Sequence, residues 1–158
     1  MKKTINILLS LAFALSLAST VEAKRGSDGQ LNLLYWQAPS TMNPNLSGGT
    51  KELEASSIVL EPFARYDEKG NLLPWLVEVI PTVANGGISK DLTSITWKIK
   101  KGIKWSDGSA LTAEDAIFTY EYCSNPDTGC TQSNYWADIK SVTAVNSTTV
   151  KVEFTVPK

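Results

Sequence analysis

The residue types able to do chemistry are few in this chain, and their pattern excludes more than it supports. Its 158 residues hold no His, two Cys, and 15 Lys+Arg against 16 Asp+Glu. Without His there is no Ser-His-Asp or Cys-His triad, no His-ligated zinc and no imidazole acid-base catalysis. Two Cys cannot build a four-thiolate metal site. Carboxylates, Lys and Tyr survive that cut, and the best carboxylate pair is Glu114 and Asp115. Sequence neighbours on a helix project about 100° apart, so these two do not face each other across a substrate as a hydrolase pair does. They suit the first turn of a helix, where negative charge meets the positive end of the dipole. The run Asp67-Glu68-Lys69-Gly70-Asn71 fails as a Ca²⁺ loop, because Lys69 and Gly70 stand where that loop needs an oxygen ligand and an ordinary residue before its glycine. No metal site and no cofactor is therefore expected, while a carboxylate-dependent hydrolase stays open as an alternative.

A formal charge of −1 leaves no basic field for nucleic acid or an anionic membrane. Lys98, Lys100, Lys101 and Lys104 cluster locally but read as the solvated face of an alternating strand. Of the five Trp, Trp97 and Trp75 read as core and Trp105 as ambiguous. Trp36 and Trp136 border loops, where an indole can meet a ligand.

Residues 1–23, MKKTINILLSLAFALSLASTVEA, have a positive start, an apolar run from Ile5 to Leu17 and a small-residue cleavage pattern at Val21-Glu22-Ala23. The apolar run is too short for the ~20 residues of a spanning helix, so a cleavable signal peptide is expected. No Cys lies at the cleavage point, which predicts a mature protein without a lipid anchor, free in a bacterial periplasm. Removing those 23 of 158 residues leaves 135, enough for one core. Export also bears on Cys123 and Cys130, since an oxidising compartment lets a disulfide persist. The intervening Asn125-Pro126-Asp127 and Gly129 turn the chain back on itself. In the chain-entropy model such a loop stabilises by about 2.5 kcal/mol, which points to a staple rather than a redox pair.

The elements that would position these residues read as one αβ unit after residue 24. Leu31 to Trp36 is short and nearly all apolar, and predicts a strand buried on both faces. A loop rich in Pro, Asn, Ser and Gly follows, then a helix over Lys51–Leu60 that Pro62 helps to end. Ala64-Arg65-Tyr66 and Leu72-Leu73 flank turn residues and predict a hairpin. Ser94–Lys100 alternates, with Ile95, Trp97 and Ile99 on one face. After turns at Gly102 and Asp107-Gly108, Thr112 opens a helix whose Ala113, Ala116, Ile117 and Tyr120 share a stripe, and which runs to about Tyr122. Ile139–Val145 and Thr149–Val156 predict two strands around Asn146-Ser147, with Val150, Val152, Phe154 and Val156 on one face.

The run D-L-T-S-I-T-W-K-I-K-K-G-I-K-W-S-D-G-S-A-L-T-A-E-D-A-I-F-T-Y from Asp91 resembles the signature of bacterial extracellular solute-binding proteins of family 5, the oligopeptide, dipeptide and nickel group. That pattern is an alternating strand, a basic-Gly turn, an aromatic before Asp-Gly, then Thr-Ala-x-Asp opening a helix. L-E-P-F-A-R-Y-D-E-K-G-N-L-L-P-W-L-V-E-V-I-P-T is similar to the hairpin of the family's first lobe, and A-D-I-K-S-V-T-A-V-N-S-T-T-V-K-V-E-F to its following strands. The resemblance implies an α/β fold like the type II periplasmic binding proteins, with residues 24–158 forming an incomplete first lobe of a mixed sheet with flanking helices and β-hairpins. It implies a binding protein and no enzyme: a monomer that captures a peptide or related small solute and delivers it to an ABC transporter permease. It places the loop after the first strand at the cleft, which nominates Trp36, Gln37 and Thr41 as ligand contacts. Family members are several times longer, and ending at Pro157-Lys158 just after a strand is how a truncated product looks. A non-transporting product and a secreted carboxylate-dependent hydrolase stand as the alternatives.

Overall fold

The computed structural model describes residues 29–158. The signal-peptide expectation for residues 1–23 lies outside them. The chain divides into two units, residues 1–36 and 37–158.

In the described part of the first unit, Leu31 to Trp36 forms no strand, a correction to the sequence expectation. Leu31, Leu33, Leu34 and Trp36 are all exposed, Leu34 fully so. The physical reason is that a strand is held by its neighbours: an apolar run without a ladder beside it has no sheet to be buried in.

The second unit is built on alternation and hairpins. Helix α1 covers Thr50–Ser56, shorter than the expected Lys51–Leu60. The Ser56 and Ser57 hydroxyls donate to the Leu53 and Glu54 carbonyls, and Val59 N–H closes onto Ser56 O three residues back. Local hydroxyl bonding of this kind competes with helix propagation. Strands β1 (Ala64–Tyr66) and β2 (Leu72–Pro74) pair antiparallel across a turn in which Asp67 Oδ1 accepts from the Lys69 and Asn71 amides. Gly70 supplies the positive φ of 80° that this turn needs. The Asn71 side chain, foremost, holds the Asp67 carboxyl below its usual range; this carboxylate serves a turn, consistent with its failure as a Ca²⁺ ligand.

Strands β3 (Ser94–Lys98), β4 (Ile139–Asn146) and β5 (Thr149–Phe154) form a sheet in the order β3-β5-β4. Within the α/β frame, every named strand pair among the described residues is antiparallel. The β4–β5 connection is too short for the crossover a parallel pair requires. β3 ends two residues before the expected Lys100, and Ile99 instead bridges to Val77. The register stacks the apolar face: Val150 lies opposite Trp97 and Ala144, and Val152 opposite Ile95 and Val142. Helix α2 (Ala113–Ser124) lays Ala113, Ala116, Ile117 and Tyr120 over that face, around a core of Ile99, Ala113, Val142 and Val150. The stripe at i, i+3, i+4 and i+7 is the one read in the sequence. Asp115 caps the helix, its carboxylate accepting from the Thr112 amide at 2.7 Å. Glu114 and Asp115 are thus a helix start, with Glu114 exposed to solvent.

Trp97 packs on the core with Phe63 at 5.9 Å between ring centroids. Trp75 differs from its core expectation. Its indole N–H donates to Glu61 at 2.9 Å and the Arg65 guanidinium lies 3.3 Å over its ring, so the half-buried ring meets two charged side chains. Lys98, Lys100, Lys101 and Lys104 are exposed, as a solvated face requires.

Candidate functional site

The loop from Gln37 to Gly49 carries the nominated polar contacts, and its conformation is written by side chains bonding to backbone. Thr41 Oγ1 accepts from the Asn43 amide at 3.1 Å, and Asn43 Oδ1 accepts from the Asn45 amide at 2.9 Å. Asn43 thereby caps a single 3₁₀ turn, Pro44–Leu46, in which Pro at the first position gives up no needed donor.

Two tethers fix this loop. At its start, Glu52 on α1 is 2% exposed and accepts from both the Ser40 amide (3.0 Å) and the Ser40 hydroxyl (2.7 Å). Lys51 Nζ lies 3.4 Å from the same carboxylate and donates to the Ala38 carbonyl at 3.2 Å. The Ser40 amide, then its hydroxyl, with the Lys51 ammonium in support, hold the Glu52 carboxyl down at about 2. It is charged at every physiological pH. At the loop's far end, the Thr131 amide donates to Asn45 O at 2.8 Å and the Gln132 carboxamide to Pro44 O at 2.8 Å. Those two donors follow Cys130, which is bonded to Cys123 at the last turn of α2. The closed segment contains the 3₁₀ turn Pro126–Thr128, and Gly129 takes the left-handed conformation at φ 71° that lets it double back.

Gln37 and Thr41 thus lie on one anchored loop, Gln37 exposed and Thr41 half-buried. Trp36 belongs to the other unit, 70% exposed, with its ring centroid 6.0 Å from that of Tyr35. Sequence reasoning missed Glu52, Lys51, Thr131 and Gln132. The first two were read only as helix residues, and nothing local could pair positions 86 and 88 residues apart. It also missed an apolar concavity of about 430 Å³ between sheet and α2, with Phe63, Trp97, Trp105, Trp136, Val152 and Phe154 on its walls. The polar groups of the loop are amides, carbonyls, hydroxyls and carboxamides. These suit a hydrogen-bonding solute and contain no nucleophile with an adjacent base. Among the described residues, no group of three or more Cys, Asp or Glu is placed to hold a metal ion, and no helix is long and apolar enough to cross a membrane.

Comparison with known proteins gives the chain's relatives. A "Probable ABC transporter-binding protein" of Deinococcus radiodurans is 32% identical over 168 residues, covering 98% of this chain. The oligopeptide-binding protein AppA of Bacillus subtilis is 28% identical over 148 residues, covering 87%. The chain spans 27% and 26%, respectively, of the length of those relatives. Among solved structures, AppA in complex with a nonapeptide matches 75% of this chain and 22% of its own at a TM-score of 0.67 and 25% identity. NikZ of Campylobacter jejuni in complex with Ni(L-His) matches 77% of this chain and 23% of its own at 0.65 and 26%. Both neighbours are type II periplasmic binding proteins, the fold class expected from the sequence. Residues 78–158 match the model of the bacterial extracellular solute-binding proteins, family 5 Middle, and on that match the chain belongs to this family.

Proposed function

We propose that this chain is the amino-terminal part of the solute-binding component of an ABC importer, which captures peptides and hands them to a membrane permease. The observation that carries the reading is the match of 75% of the chain, at a TM-score of 0.67, to a binding protein solved with a nonapeptide. The anchored loop supports it. A peptide backbone presents alternating donors and acceptors, and the loop's amides, hydroxyls and carboxamide answer both. Gln37 and Thr41 are the proposed contacts there, and Trp36 offers an exposed indole from its own unit. The wider scheme is an exported monomer, led out by residues 1–23, whose remaining lobe closes over the ligand by differential affinity for the closed state. Residues 24–158 contribute only part of the first lobe.

Nickel complexes are the second ligand class, favoured by the likeness to NikZ. With no His on the chain, its contribution to such a site would be contacts to an organic chelator rather than metal ligation.

The test is equilibrium titration of the full-length protein with a defined library of short peptides, read by tryptophan fluorescence and calorimetry. Saturable binding with a dissociation constant near micromolar or tighter is expected, about −8 kcal/mol. Saturable binding of a nickel chelate and of no peptide would overturn the peptide reading.

A further inference from the structure

The disulfide sits at one end of a continuous run of bonds that leads to the ligand loop. From Cys130 the run passes to Thr131 and Gln132, whose donors hold Asn45 O and Pro44 O at 2.8 Å each. It continues through Asn43, which caps the Pro44–Leu46 turn, to Thr41, whose hydroxyl oxygen holds the Asn43 amide. Cys123 lies fully buried in the last turn of α2, and Cys130 is 9% exposed. The closed segment is therefore rooted in the core, while the residues just beyond it reach outward to the loop.

We propose that the Cys123–Cys130 disulfide and Gln132 position the ligand loop. The disulfide fixes where Thr131 and Gln132 stand, and these hold the Pro44–Leu46 turn in register with the core. The proposal rests on the reading that this loop faces the ligand. Thr131 and Gln132 are positioning residues, since they act through the Pro44 and Asn45 carbonyls. A loop held in its binding conformation loses less entropy on ligand capture; released, it weakens affinity while the core stays folded.

The experiment uses the full-length protein in three forms: wild type, the double variant C123S/C130S, and Gln132→Glu, which keeps the side-chain shape and removes the Nε2 donor. Each is measured for melting temperature, amide hydrogen exchange over residues 38–47, and peptide affinity. Gln132→Glu is expected to leave the melting temperature within a degree or so, to speed exchange in the loop about tenfold and to weaken affinity about three- to tenfold. The double variant is expected to lower the melting temperature and to produce the same loop and affinity changes. A double variant that melts lower but exchanges and binds as wild type overturns the proposal and leaves a simple staple. Unchanged loop exchange in Gln132→Glu also overturns it. If the wild type binds no peptide, the reading of function fails; the exchange data then still decide whether the disulfide positions the loop.

Discussion

The loop at Gln37–Gly49 and the core of sheet and α2 are held by opposite means. The core is periodic and apolar: Ile99, Val150 and Ala113 are at most 1% exposed, and their burial follows from the alternation that runs through β3 to Ile99, the alternation in β5 and the 3.6-residue stripe in α2. The loop has no periodicity. It is fixed by a buried carboxylate on Ser40 and by two donors that arrive 86 and 88 residues later in the chain. The difference teaches that the core and the loop's conformation can be perturbed by different changes here, one by removing methyl groups and the other by removing single hydrogen bonds.

The largest expected effect tests the core alone. Ile99→Ala empties a fully buried site and should cost about 2–5 kcal/mol in denaturant unfolding, with loop exchange raised no more than the global loss requires. A selective rise in loop exchange would break the separation. Next in size, Asp115→Ala removes the acceptor of the Thr112 amide at the start of α2, worth about 1 kcal/mol. The same unfolding curves check it, and an unchanged midpoint would show that the cap is redundant. Glu52→Ala takes the acceptor from the Ser40 amide and hydroxyl, and should speed exchange at residues 38–43 about tenfold, with β4 and β5 raised no more than the loss of this carboxylate's own contribution to stability requires. Its wild-type counterpart is a pH series. A carboxyl lowered from 4.5 to about 2 contributes stability that is fully present above pH 4.5 and is lost as pH falls towards 2. Loop protection in the wild type should therefore persist at pH 4 and decline below about 3, whereas in Glu52→Gln it should show no such step.

The contrast also explains what the sequence disclosed. Ile95, Trp97 and Ile99 alternate, and so do Val150, Val152 and Phe154; a period-2 pattern names its own buried face, and the strands and their pairing partners follow. Thr112 with Asp115 announced α2 in the same local way. The Asp91–Tyr122 motifs carried the family. Leu31–Trp36 misled because a run of apolar residues says nothing about which strand will pair with it. Trp75 misled because its neighbours in space are Glu61 and Arg65, two charged partners that its neighbours in sequence, Pro74 and Leu76, do not suggest. For the loop, composition named a loop and no more. Its tethers at Glu52, Thr131 and Gln132 are single polar bonds, and isolated polar residues leave no periodic trace.

The account's central claim, that the Gln37–Ser47 loop faces a captured peptide, is tested most directly by amide hydrogen exchange of the full-length protein with and without a saturating peptide from the library. The account predicts added protection at Gln37–Ser47, with little change in β3, β4 and β5. Saturable peptide binding that leaves the loop's exchange untouched would contradict it.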